Sequence, residues 1–181
     1  AGYDSDIQTL LRSGKSILEI YDELTLADIQ QACDLFAPVF KSSKGEHGFV
    51  SLEVMPCLAH GTEGTIRDAL RLFKAVARPN VMIKIPATRE GIPAVREVIA
   101  RGVNVNVTLM FTIRHYQDVA EAYLQGLAAY QKKGGDLSRV HSVASIFVSR
   151  FDTYLDKKLD DLIGQKGDTA AQPRIRKLLG Q

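Results

Sequence analysis

The chain has 181 residues, 45% of them hydrophobic, with 23 Lys+Arg against 21 Asp+Glu for a formal net charge of +2. That length fits one continuous domain, and a charge so near balance leaves no electrostatic footprint for nucleic acid or an anionic membrane. No run approaches the ~20 apolar residues of a membrane span, and the opening residues lack the basic-then-apolar pattern of a secretory leader, so a cytoplasmic, reducing setting is expected.

In chain order, a helix is predicted over 25–40, with Thr25 as its cap, Asp28 in the first turn and Ile29, Cys33, Phe36 and Phe40 on one stripe. The segment SSKGEHG breaks the pattern, and 49–54 reads as a strand. A helix begins near Thr62, whose hydroxyl is placed to cap it, carries Ile66, Leu70 and Phe73, and stops before Arg78 and Pro79. A strand follows over 81–85. Pro93 suits the first turn of a helix that runs to about Arg101, Gly102 stops it, and 103–109 is a strand. A long helix over 113–132 ends at Gly134 and Gly135; a strand is expected over 140–148, a helix over 150–163, and a last short helical run from Pro173. This alternation argues for a parallel α/β sheet with crossovers, either doubly wound or a barrel.

The two cysteines, Cys33 and Cys57, sit in unrelated contexts and suggest no disulfide, and the four histidines form no zinc-like cluster. Cys57 and His60 are close enough in sequence for a nucleophile and base, but such a pair is usually incidental.

The strands carry more information than the helices. Strands buried on both faces tend toward continuous apolar runs, whereas 103–109 alternates strictly, with Val103, Val105, Val107 and Leu109 opposing Asn104, Asn106 and Thr108. Ser51 and Glu53 share one face of their strand, and Met82 and Lys84 oppose Val81, Ile83 and Ile85. The economical account packs the aliphatic faces under helices and gathers Glu53, Lys84, Asn106 and Thr108 in a shared interior. An antiparallel sheet with one wet face gives the same alternation, although the intervening helices favour crossovers.

Lys84 admits two readings: an amine desolvated enough to attack a carbonyl and form a Schiff base, or a buried ion pair with Glu53. Both hold together if the carboxylate shuttles protons during imine formation. Asn106 and Thr108 offer uncharged hydrogen-bonding groups for a polyhydroxylated substrate or a water. Ser145 lies in the last strand, and Arg150, expected just past its end, could clamp a phosphate. No Gly-rich phosphate loop is present, which disfavours nicotinamide and nucleotide triphosphate chemistry.

The segments VSLEV at 50–54, VMIKIPAT at 81–88, GVNVNVTLMF at 102–111 and ASIFVSR at 144–150 resemble transaldolase in order and spacing. They are most similar to the shorter bacterial and plant-type members, some of which are fused to a phosphoglucose isomerase. The resemblance implies a (β/α)₈ barrel of the class I aldolase type, free of metal and cofactor. The reaction implied is transfer of a dihydroxyacetone unit from sedoheptulose 7-phosphate to glyceraldehyde 3-phosphate in the non-oxidative pentose phosphate pathway. It also implies site roles: Lys84 as the Schiff-base lysine, Glu53 as the carboxylate acting through a water, and Thr108 as a holder of that water. Asn106 and Ser145 would bind substrate and Arg150 its phosphate. The related fructose 6-phosphate aldolases typically lack the glutamate, so Glu53 favours transfer over simple cleavage.

The departures bear on length. A strand carrying a catalytic aspartate and a second strand with a Thr-Asn-Pro type segment open the family barrel, and neither is found here. By this reading 1–181 is a partial barrel domain holding the third to sixth strands, since a full barrel takes about 250 residues. The contrasting expectation is a non-catalytic partial-barrel module whose two unpaired sheet edges need a partner. The expected partners are sugar phosphates; homo-oligomerisation is left open, and neither nucleic acid nor membrane is expected.

Overall fold

The computed structural model describes residues 2–165 together with 173 and 177, so the helical run expected from Pro173 lies outside the described residues. The chain divides into two compact units, 1–145 and 146–181.

In the first unit, helices α1 (Asp4–Arg12) and α2 (Ile17–Ser42) precede strand β1 (Val50–Glu53), and α3 (Thr62–Val76) leads to β2 (Val81–Pro86). Helix α4 (Gly91–Ile99), β3 (Val105–Thr108), α5 (Ile113–Lys132) and β4 (Ser142–Ser145) complete it. All neighbouring strands are parallel, in the order β1-β2-β3-β4. Each crossover therefore advances by one strand in the same direction, with no point at which the order reverses. That is the winding of a barrel arc and not of a doubly wound sheet, and it resolves the alternative left open by the alternation of elements. It also removes the antiparallel alternative.

Parallel crossovers are almost always right-handed, so successive helices cover one face, and α3 packs on α4 and α4 on α5. Beneath them Leu52, Ile83, Ile85, Val105 and Val107 form one cluster with Ile66, Ala69, Val95, Val98, Ile99 and Val119. Each such aliphatic side chain contributes about 1.5–3 kcal/mol on burial. Helices α4 and α5 approach closely because residue 126 is glycine: a Cβ there would lie 2.8 Å from the Arg96 carbonyl oxygen and 2.9 Å from Ile99.

Three boundaries differ from expectation. Helix α2 starts at Ile17 and is not capped at Thr25, because Ser16, nine residues upstream, forms a reciprocal capping box with Glu19. The hydrogen bonds from Ser16 hold the Glu19 carboxyl below its ordinary range. The cap of α3 is Gly61, and the Thr62 hydroxyl donates instead to the Glu90 carbonyl oxygen at 2.7 Å. Strand β4 covers only Ser142–Ser145, and in the second unit helix α6 (Val148–Gln165) begins two residues before Arg150.

Ion pairs fasten α2 to the α3 hairpin. Arg78 donates to both carboxylate oxygens of Asp34, at 2.6 and 3.0 Å, holding that carboxyl below its ordinary range. Arg71 spans Asp22 of α2 and Asp68 of α3.

Candidate active site

Residues paired across a parallel sheet share a face. The register Glu53↔Lys84, Lys84↔Asn106 and Asn106↔Val143 therefore draws one row across all four strands on the face away from the helices. A second row, Pro86↔Thr108↔Ser145, lies one step nearer the C-terminal ends of the strands, where barrel enzymes place their chemistry.

Within the first row the Lys84 ammonium donates to Glu53 Oε2 at 3.2 Å. The two side chains are 26% and 46% exposed. An ion pair this open to solvent contributes about 0–1 kcal/mol, so stability gives little reason to place charge on a strand such as β2, whose other face is fully buried. Ile83 and Ile85, on either side of Lys84 in sequence, are both 0% exposed. What the geometry does supply is an amine within proton-transfer reach of a carboxylate, on a face open to a ligand.

The neighbouring groups form a directed chain. Ser145 Oγ donates to Asn106 Oδ1 at 2.7 Å, and Asn106 Nδ2 donates to Ser51 Oγ at 3.0 Å. The amide of Asn106 is thereby fixed from both sides. Thr108 differs from all of these: it is 1% exposed, and its Oγ1 is the sole buried side-chain polar atom without a hydrogen-bond partner among the described residues. A buried hydroxyl left unpaired costs about 1–3 kcal/mol, so its place at the mouth of the sheet calls for a ligand or water to meet it.

The loops that frame this end are tied down. Thr88 Oγ1 donates to the Ala59 carbonyl oxygen and accepts from the Gly91 N–H at 2.9 Å, and the His115 ring meets the Ala87 carbonyl oxygen. Past Thr108 the chain turns at Leu109 with φ at 65°, a left-handed conformation that costs a residue with a Cβ roughly 1–2 kcal/mol.

The structure thus brings together five of the six residues expected from sequence: Glu53, Lys84, Asn106, Thr108 and Ser145. Arg150 belongs to the second unit, in the first turn of α6, where its guanidinium lies 4.3 Å above the Phe147 ring. As expected it lies at the start of that helix, but five residues past the strand and not just beyond its end, because β4 stops at Ser145.

Two residues were missed. Ser51 shares the polar face with Glu53, a parity visible in the sequence, but only the register shows that Asn106 reaches it. Asp68 accepts from the Met55 N–H at 3.1 Å and so holds the exit of β1 two residues beyond Glu53. The contact crosses from α3 to a loop and leaves no local signature. Cys57 is exposed and Cys33 buried, both as free thiols, and burial raises the Cys33 thiol pKa. His60 lies 3.5 Å from Glu90. Among the described residues no His, Cys, Asp or Glu group could hold a metal ion, and no helix is long and apolar enough to cross a membrane.

Comparison with known proteins places these features in context. A family model described as Transaldolase/Fructose-6-phosphate aldolase matches residues 1–179. The chain is 44% identical over 179 residues to a protein named transaldolase from Trichodesmium erythraeum, covering 99% of this chain and 47% of that one. It is 51% identical over 164 residues to a transaldolase of Saccharopolyspora erythraea (91% and 44% covered) and 48% identical over 158 residues to one of Mycobacterium bovis (87% and 42%). The chain spans a little under half the length of these relatives.

Proposed function

The chain belongs to the transaldolase/fructose-6-phosphate aldolase family, and from that premise we propose that it carries the Schiff-base portion of a transaldolase site, on the third to sixth strands of an eight-stranded barrel. In this reading Lys84 attacks the C2 carbonyl of a ketose phosphate, and loss of water leaves an imine. As the C4 hydroxyl gives up its proton to a base, the C3–C4 bond breaks, the imine accepts the electron pair, and the aldose phosphate departs. The retained three-carbon unit then adds through the new carbanion to the aldehyde carbon of the acceptor, the new hydroxyl takes a proton back, and water hydrolyses the imine to release the ketose phosphate and Lys84. Sedoheptulose 7-phosphate as donor and glyceraldehyde 3-phosphate as acceptor give erythrose 4-phosphate and fructose 6-phosphate, a reaction of the non-oxidative pentose phosphate pathway in the cytoplasm.

Glu53 serves proton transfers at the imine nitrogen and carbon through a water, and the unpaired Thr108 hydroxyl is the group available to hold that water. Asn106 and Ser145 bind substrate hydroxyls, with Ser51 fixing the amide. Arg150 takes the phosphate. The imine is itself the electron sink, so this chemistry requires no cofactor.

The observation that carries the reading is the 3.2 Å approach of Lys84 to Glu53, one strand apart on a face with an unsatisfied threonine hydroxyl one row above. Glu53 favours transfer over simple aldol cleavage. The test is to incubate the full-length protein with fructose 6-phosphate and borohydride. Activity should be lost and a reduced three-carbon adduct should map to Lys84; an adduct that persists in Lys84→Ala sinks the assignment.

A further inference from the structure

The proposed chemistry uses the C-terminal ends of the strands. A cavity of about 600 Å³ lies at the opposite end, and every αβ loop of the first unit contributes to it. Lys41 comes from the last turn of α2, Lys44 and Gly45 from the passage between α2 and β1, Pro79 from the turn before β2, and Gly102 and Asn104 from the turn before β3. Arg139 and His141 come from the passage before β4. Strands of four to six residues separate this cavity from the reactive lysine, a distance on the order of 15 Å at ~3.3 Å per residue.

Its charge is one-sided. Lys41, Lys44 and Arg139 line it with His141, and no carboxylate lines it. None of those three cations has a carboxylate within salt-bridge distance among the described residues, whereas Arg71, Arg78, Arg96 and Arg114 all do. Asp136, three residues from Arg139, feels its charge at longer range but spends its Oδ1 on the Ser138 N–H and O–H, at 3.0 and 2.7 Å. Like charges facing one space are mutually repulsive, one carboxylate does not balance three cations, and a multiply charged anion relieves the remaining repulsion.

The walls are built and not incidental. The Tyr130 ring stands so close to Gly102 that a Cβ there would lie 2.8 Å from it. Phe49 packs 5.0 Å from the His141 ring and edge-on to Phe40 at 5.3 Å, and the His141 N–H donates to Asn104 Oδ1 at 2.9 Å. Phe40, Phe73 and Tyr130 give the space an aromatic side opposite in character to its cations. A volume of this size is that of a small-molecule site, and too confined for a nucleic acid duplex or a lipid surface.

We propose that this cavity at the N-terminal end of the sheet binds a small organic polyphosphate, its phosphates on Lys41, Lys44 and Arg139 and its ring system against the aromatic side. The aromatic side distinguishes a nucleoside polyphosphate from a free inorganic polyphosphate, which would meet the cations alone.

Titration calorimetry on the full-length protein with ATP, inorganic pyrophosphate and adenosine as probes tests this. ATP should bind saturably, pyrophosphate about tenfold more weakly, and adenosine not measurably. Affinity for ATP should fall at least tenfold in Lys44→Glu and in Arg139→Glu, and also in the milder pair Lys44→Gln with Arg139→Gln, all at exposed positions. It should be unchanged in Arg67→Glu, on the outer surface of α3, and in Lys84→Ala. The Lys84→Ala arm separates this site from the proposed catalytic one. Absence of saturable binding by both ATP and pyrophosphate overturns the proposal, as does binding that Lys84→Ala abolishes and the cavity variants leave intact.

Discussion

Two buried threonines make the sharpest test of the site. Thr65 and Thr108 are both 1% exposed, but Thr65 Oγ1 donates to the Leu58 carbonyl oxygen at 2.9 Å, whereas Thr108 Oγ1 has no partner. Valine has nearly the shape of threonine without the hydroxyl. In Thr65→Val a hydrogen bond is lost at a cost of about 1 kcal/mol, the Leu58 carbonyl oxygen keeping the Gly61 N–H at 2.9 Å. In Thr108→Val no bond to the protein is lost, so the stability of the fold should change by less than about 1 kcal/mol. At about 2–4 °C per kcal/mol for a domain of this size, thermal unfolding should move down by a few degrees in the first variant and hardly at all in the second. Transfer of the three-carbon unit, followed with fructose 6-phosphate as donor and erythrose 4-phosphate as acceptor, should show the reverse. Thr108→Val should lose about a hundredfold in kcat, the lower end of the range for a positioned proton-transfer group, and Thr65→Val should be nearly unaffected. If Thr108→Val is as destabilised as Thr65→Val, or fully active, the hydroxyl is not held in reserve for a water and the argument for Thr108 fails.

Three further outcomes follow from the packing and the charges. Gly126→Ala gains helix propensity but drives a Cβ into Arg96 and Ile99; overpacking at about 1–3 kcal/mol exceeds the ~1 kcal/mol gained, so urea unfolding should show a net loss. Asp68→Ala removes the acceptor that holds the exit of β1, so kcat should fall with little change in KM, while Asp68→Asn, which keeps a carbonyl for the Met55 N–H, should recover most of it. The Glu19 and Asp34 carboxyls are both held below their ordinary values, 4.5 and 3.8, by Ser16 and Arg78. Carboxyls lowered on folding stabilise the fold above those values and lose that contribution as pH falls through them, so far-ultraviolet dichroism should show helix lost on acidification below about pH 4.5, with a smaller acid response in Glu19→Gln.

The polar face was legible because alternation is a local property. Each of Glu53, Lys84 and Asn106 sits between two aliphatic residues, and a strand with one aliphatic face can present the other only to something different. The direction of winding was not legible, since the strand order β1-β2-β3-β4 and a doubly wound order share the same sequence of elements. The extent of α2 was written in Ser16 and Glu19, but the hydrophobic stripe from Ile29 to Phe40 outweighed a cap nine residues upstream of the expected start. The link from Asp68 to Met55 was invisible, because it depends on how α3 lies against the end of β1. Length alone suggested one complete domain, whereas the relatives extend to more than twice the span matched here.

The same alternation also explains how Lys84 and Glu53 come to face one another. Lys84 lies between Ile83 and Ile85, each fully buried under the helices, and Asn106 lies between Val105 and Val107, 0% and 1% exposed. A slip of β2 by one residue would turn Lys84 into the aliphatic layer and both isoleucines toward the open face. The first change buries an ammonium among hydrocarbon, a penalty of several kcal/mol even after relaxation. The second forfeits about 1.5–3 kcal/mol for each isoleucine. Against a total stability of roughly 5–15 kcal/mol, such a register is not populated. The 3.2 Å approach of Lys84 to Glu53 therefore needs no strong attraction between the two charges. It is fixed by the packing of the opposite face, so the amine and the carboxylate are not needed to hold the sheet together.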